Sequence, residues 1–253
     1  MGTPEPSRPR APFFTVPAFD AWYGLETCLA AGGYRGLLLV FAGLLAGYWV
    51  YVPLHELGHA FACLAAGGEV SRLEIDPKFG AALLAEVFPW VVPGGEYAGR
   101  LAGFDTGGSD LVYLATDLGP FLLTLLPGVW WLRRAGREAR SFLFGASLPF
   151  AFAPFLSLTG DAYEIGSILA TQLPPWNDEA MATLLVGDDL VKKVPEIAGS
   201  PAPPWAGLSL ATGLGVLWAF GTYALGGWIA RRLGQAPLTA SSQIATPNRA
   251  DRA

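Results

Sequence analysis

The string His55-Glu56-Leu57-Gly58-His59 contains both of the chain's histidines. On a helix, residues four apart share a face, so the two imidazoles converge on one point with the Glu56 carboxylate beside them. Two neutral imidazoles and an adjacent acid are what a zinc hydrolase uses as a ligand pair and a general base. The string lies within residues 36–66, an apolar run in which Glu56 is the only formally charged residue. Ionisable groups are costly where hydrocarbon contact is expected, so a functional reason for them outweighs a structural one.

Two imidazoles leave a zinc site short of a third ligand. Asp161 and Glu164, three residues apart, share one helix face after Leu158-Thr159-Gly160. Asp117 is the other acid inside an apolar block. Counted from the ends of their own blocks, His55, Asp117 and Asp161 fall at similar depth. No Lys or Arg lies within those blocks, so a metal ion supplies the positive charge that buried carboxylates need. Asp161 is the preferred third ligand, Glu164 the alternative, and Asp117 stands behind both. Cys63, four residues beyond His59, is a soft donor but reads better as a small apolar helix residue. With Cys28 it makes only two cysteines, too few for a disulfide framework.

The elements that hold these residues follow from composition. The chain is 52% hydrophobic and 15% charged, against about 25% charged for soluble domains. Apolar blocks at 36–66, 110–132, 141–173 and 205–230 each reach the ~20 residues that cross ~30 Å of hydrocarbon. The predicted fold class is mainly α: a polytopic membrane helix bundle of about four transmembrane helices with a small membrane-associated β hairpin. Residues 71–75 alternate as a half-buried strand does. Pro53 is expected to kink or restart the first span just ahead of His55. Residues 1–35 read as a proline-rich tail followed by an interfacial segment, 13–31, interrupted by Pro17, Asp20 and Glu26. The start lacks the apolar core and cleavage site of a signal peptide. Residues 36–230 form the membrane domain and 231–253 a flexible tail.

Arginines set the orientation. Arg8, Arg10 and Arg35 precede the first span, Arg133, Arg134, Arg137 and Arg140 separate the second and third, and Arg231, Arg232, Arg249 and Arg252 follow the fourth. Alternating spans put all three sets on one side, so both termini are expected in the cytoplasm, in a multi-pass protein of the cell membrane. The net charge of −5 comes from the opposite loops. No basic stripe marks a nucleic-acid partner. The segment 178–198 reads as a solvated loop helix.

From His55 through His59-Ala60 to Gly67-Gly68-Glu69-Val70, with Gly119-Pro120 on the following helix, the chain resembles the site-2 protease family of intramembrane zinc metalloproteases. The resemblance implies one zinc ion per chain on His55, His59 and Asp161 or Glu164. It implies Glu56 as general base and membrane-spanning or membrane-associated proteins as substrates, cleaved within the lipid bilayer. The chain departs from the family pattern in having Gly160-Asp161 where an Asp-Gly is usual, and Leu123 where many members carry Asn. Any side-chain oxyanion donor then falls to Ser157, Thr159 or Thr124. The strand-like region 69–98 is a candidate for edge pairing with an extended substrate. Two other classes compete: a zinc-binding membrane protein without proteolysis, and an ion or metal transporter using His55, Glu56, Asp117 and Asp161. The lack of an internal repeat disfavours the transporter.

Overall fold

Glycine, leucine and proline shape the longest element, α1 (Val16–Ala65). Its backbone leaves helical geometry only at Gly33, whose positive φ of 55° suits a residue without Cβ. The chain folds back sharply there: a Cβ on Gly36 would meet the Cys28 carbonyl oxygen at 2.5 Å. The helix does not restart at Pro53, because the break falls at Gly33 and the backbone stays helical through Pro53.

The computed structural model describes residues 12–187, 189–201 and 203–238. Pro4, Pro6, Pro9, Arg8 and Arg10 of the expected N-terminal tail, and Arg249 and Arg252 of the expected C-terminal tail, lie outside the described residues. After α1 come β1 (Glu69–Ile75), α2 (Ala81–Val87), β2 (Val91–Pro93), β3 (Gly99–Asp105) and α3 (Asp110–Leu118). Then follow α4 (Val129–Arg137), α5 (Ser141–Ala151), α6 (Ala153–Leu156) and α7 (Asp161–Ala170). The last elements are α8 (Glu179–Leu185), α9 (Leu190–Ala198) and α10 (Trp205–Arg232). With 71% helix and 8% strand the fold is mainly helical.

Three stretches are long and apolar enough to cross a membrane: Phe13–Ala65, Asp110–Arg137 and Trp205–Arg232. The fourth block, 141–173, is not one helix but α5, α6 and α7 in succession. Pro154 sits in the first turn of α6, where a proline starts a helix rather than continuing one, and non-helical Gly160 precedes α7. The broken segment nevertheless runs the length of α1, from Ser141 beside Gly36 to Asp161 beside His55. At ~1.5 Å per residue that stretch of α1 rises about 28 Å.

Small residues face inward and large ones outward. On α1, Gly43 and Gly47 are buried while Leu38, Phe41 and Leu45 are 60%, 57% and 56% exposed. A Cβ on Gly43 would stand 2.0 Å from the Phe142 carbonyl oxygen, and one on Gly145 would stand 1.9 Å from that of Val40. Helices α1 and α5 therefore touch backbone to backbone, as α7 and α10 do at Gly166 and Gly215.

The β region is a three-stranded sheet in the order β2-β1-β3 rather than a hairpin. β1 pairs antiparallel with β3 and, across α2, parallel with β2. Leu73 and Ile75 of β1 are fully buried and join Tyr51, Leu57, Phe121 and Ile165 in one core. That core lies directly beneath the His55–His59 turn and fixes the sheet against it.

The segment 13–31 forms most of the first part of α1 and packs on the bundle. Its Asp20 is fully buried at the far end of the bundle. Asp20 Oδ2 accepts hydrogen bonds from Arg133 Nε at 2.8 Å and from the Tyr223 hydroxyl at 2.9 Å, and Oδ1 accepts from Leu238 N at 2.8 Å. Arg133, also fully buried, donates on to the Gly227 carbonyl at 2.9 Å. One ion pair thus ties α1, α4, α10 and the segment after α10 together.

Candidate metal centre

Helical spacing aims His55 and His59 the same way, and their rings stand edge to face with centroids 4.9 Å apart. The glycine between them lets a neighbour approach. A Cβ on Gly119 would lie 2.2 Å from the Gly58 carbonyl oxygen, so the Gly119-Pro120 turn after α3 presses directly on the motif. This contact brings the Thr116 carbonyl oxygen 2.9 Å from His59 Nδ1. A carbonyl only accepts, so His59 Nδ1 carries a proton, and Nε2 is the nitrogen turned the other way. His55 Nδ1 lies 2.8 Å from the Tyr51 hydroxyl, one helical turn earlier. Both rings are oriented by a partner on the nitrogen opposite the site, as metal-ligating histidines commonly are.

Both free nitrogens face Asp161. His55 Nε2 is 3.1 Å from Oδ2 and His59 Nε2 is 3.5 Å from Oδ1. Asp161 is the first residue of α7, where the exposed N–H groups favour a negative charge. Its Oδ2 is buried and has no hydrogen bond despite the nearby imidazole. Two ring nitrogens and a carboxylate gathered this closely could hold a metal ion. The donor set fits zinc: ligands ~2.05 Å from a tetrahedral ion stand about 3.3 Å from one another. Among the described residues, His55, His59 and Asp161 form a group of three potential donors, with all donor atoms within 4.8 Å of each other.

The structure separates the three candidate acids. Glu164 shares a helix face with Asp161, but its Oε1 accepts a hydrogen bond from the Tyr113 hydroxyl of α3. Asp117 is 2% exposed and lines the same cleft, yet it is outside the donor cluster, and its buried Oδ2 has no hydrogen bond. Cys63 is turned towards the Glu69 carbonyl, 3.8 Å away, and takes no part in the cluster.

Glu56 is buried against β3. A Cβ on Gly99 would fall 2.3 Å from Glu56 Cγ, so the bare backbone of this strand forms the wall beside the acid. The surrounding cleft, about 700 Å³, is lined by the motif, β3, Tyr113, Ser157, Thr159 and Lys192. Ser157 and Thr159 are therefore near the site. Thr124 is not, because its buried hydroxyl donates to the Phe150 carbonyl. Segment 178–198 is not a solvated loop helix either. Leu185 and Ile197 are fully buried in a core with Tyr163 and Leu208, and Leu190 N donates to the Thr159 carbonyl at 2.7 Å. Asp189 and Lys192 thereby reach the rim of the cleft.

Tyr51, Tyr113 and Gly99 escape the sequence reading. Tyr51 stands four residues before His55, a spacing that would have revealed it; Gly99 and Tyr113 carry no local signal. No protein-family model, curated protein or solved structure matches the chain.

Proposed function

We propose that this chain is an intramembrane zinc metalloprotease that hydrolyses peptide bonds of membrane-spanning or membrane-associated proteins. The observation that carries the reading is Asp161, whose two oxygens face His55 Nε2 and His59 Nε2 at 3.1 and 3.5 Å beside the buried Glu56. His55, His59 and Asp161 would hold one zinc ion, with Tyr51 and the Thr116 carbonyl keeping the rings in register. Zinc held there supplies Lewis acidity, polarising the scissile carbonyl and easing the ionisation of water.

The remaining work falls to the chain's own groups. Glu56 accepts the proton of the attacking water and returns it to the leaving amine. β3 is an edge strand of the sheet and lines the cleft, so an extended peptide pairs with it and comes to lie beside Glu56. This places edge pairing on Gly99–Asp105, just beyond the region 69–98 proposed from sequence. Pairing also holds the substrate unwound, which hydrolysis requires, since helical amides are shielded by their own hydrogen bonds.

Three helices of spanning length and exposed leucines on α1 support residence in a bilayer, with α5–α7 as a fourth, broken passage. The junction of Asp20, Arg133 and Leu238 gathers the N-terminal helix, the arginine-rich turn and the end of α10 at one end of the bundle. That supports the end of α10 lying on the arginine-rich, cytoplasmic side.

The test is Glu56→Gln, which removes the base and spares the three ligands. Purified Glu56→Gln keeps about one zinc per chain, as wild type does, while His55→Ala loses it. Comparing membrane proteomes of wild-type and Glu56→Gln cells then shows uncut polypeptides accumulating in the variant. Zinc retained with an unchanged proteome would point to a zinc-binding protein without proteolysis and overturn the proposal.

A further inference from the structure

We infer that the chain carries a binding site for one anionic glycerophospholipid, separate from the metal centre and independent of the proteolytic reading. An apolar groove of about 620 Å³ runs between α1, α4 and α5. Its walls are side chains such as Val50, Leu54, Leu143 and Phe150, and its depth comes from Gly47 and Ala146, where the two helices touch through backbone. From Phe142 to Phe150 the groove follows α5 for about 12 Å at ~1.5 Å per residue. One leaflet of a ~30 Å hydrocarbon core is about 15 Å deep. The groove therefore suits an acyl chain running inward from one membrane surface.

Only one end of the groove is charged, and the charge there is unbalanced. Glu138 accepts from Arg134 Nε at 3.0 Å through Oε1 and pairs with Arg140 Nε at 2.7 Å through Oε2. One carboxylate thus serves two guanidinium groups, which are 46% and 55% exposed. Arg134 also lies over the Trp130 ring, 5.1 Å from its centroid, and indole rings favour the headgroup level. Guanidinium forks match the oxygens of a phosphate.

A second groove, about 660 Å³, shares Arg140, Phe142 and Leu143 with the first and is also lined by Arg35 and Leu39. Arg140 lines both grooves. A glycerophospholipid has this form, with one phosphate from which two chains diverge. Its phosphate meets Arg140 and Arg134, and at least one chain lies along the first groove. A partner's transmembrane helix, ~10–12 Å across, has nothing to set against the arginine pair.

The test uses the purified full chain in detergent, given equal amounts of phosphatidylglycerol and phosphatidylcholine and read by native mass spectrometry. Wild type retains one phosphatidylglycerol in preference to phosphatidylcholine. Arg134→Gln and Arg140→Gln each reduce that preference about fivefold, the contribution of one arginine near a lipid phosphate. Glu138→Gln acts in the opposite direction and strengthens retention of phosphatidylglycerol, which a merely structural role for this cluster does not predict. Ala146→Phe fills the groove and lowers retention of both lipids. Unchanged elution volume and helical circular dichroism establish that each variant is folded. Equal retention of the two lipids by wild type would overturn the proposal. So would a preference unaltered in both arginine variants, or a polypeptide in place of lipid that Ala146→Phe expels.

Discussion

Gly99→Ala tests whether Glu56 acts from the position it occupies. The added Cβ would stand 2.3 Å from Glu56 Cγ and 2.8 Å from Cδ, where ordinary contact begins at 3.4 Å. Gly99 is not among the residues of positive φ, so its backbone accepts alanine without strain. β3 is paired to β1 through this residue, opposite Ile75, which holds the strand in place. The Glu56 side chain must therefore give way by about 1 Å, and a misplacement of that size costs a catalytic group about 10²-fold in rate. The assay is single-turnover hydrolysis, by purified variant, of a polypeptide that accumulates in Glu56→Gln membranes, with zinc measured on the same sample. The expected result is a rate reduced about 10²-fold at unchanged zinc content. Gly103→Ala is the control on the same strand: its Cβ would meet the Ser71 hydroxyl and Arg72 rather than Glu56, and its rate falls far less. Hydrolysis by Gly99→Ala at the wild-type rate would refute the assignment of Glu56 as the base. Loss of zinc from Gly99→Ala would refute the separation of base from ligands.

Two further outcomes follow from the same geometry. Asp161→Ala loses the zinc and Glu164→Ala keeps it, because Glu164 is engaged by Tyr113; metal analysis checks both, and the reverse pattern would transfer the third ligand to Glu164. At the other end of the bundle, Asp20→Asn or Arg133→Met leaves one buried charge without its partner and destabilises the protein by about 3–5 kcal/mol. Replacing both with apolar residues costs less than the sum of the two, as read from denaturant titration in detergent, and strict additivity would show that the pair is not coupled.

The pattern at the centre was legible because it is local. Helical periodicity alone aims His55 and His59 at one point, and counting depth along the apolar blocks brought Asp161 to them. What spacing cannot give is side-chain direction. Asp161 and Glu164 share a face, yet only the Tyr113 hydroxyl from another helix separates their roles. The helix break falls at Gly33 rather than Pro53 for a related reason. Pro53 has the stronger reputation for breaking helices, but Gly33 reaches a positive φ that proline cannot. Likewise, α5–α7 have enough hydrophobicity for a span, but Pro154 and Gly160 interrupt the backbone where composition registers nothing.

Asp20 shows most clearly how hydropathy misleads. Within its own neighbourhood an acid between apolar residues indicates a surface, because a lone carboxylate is too costly to bury. Its partner lies 113 residues later. Once Arg133, Tyr223 and the Leu238 amide each contribute a hydrogen bond, burial becomes tolerable and the same acid turns into the point where three helices meet. The candidate metal centre obeys the same rule from the opposite direction: Asp161 is partly buried, its Oδ2 is enclosed, and both nearby imidazoles are oriented by partners elsewhere. A buried acid with all its partners within the chain is a structural tie. An acid facing two ring nitrogens from another helix could instead share a metal ion with them, and under the proposed reading that difference distinguishes the reactive end of this bundle from the end that holds it together.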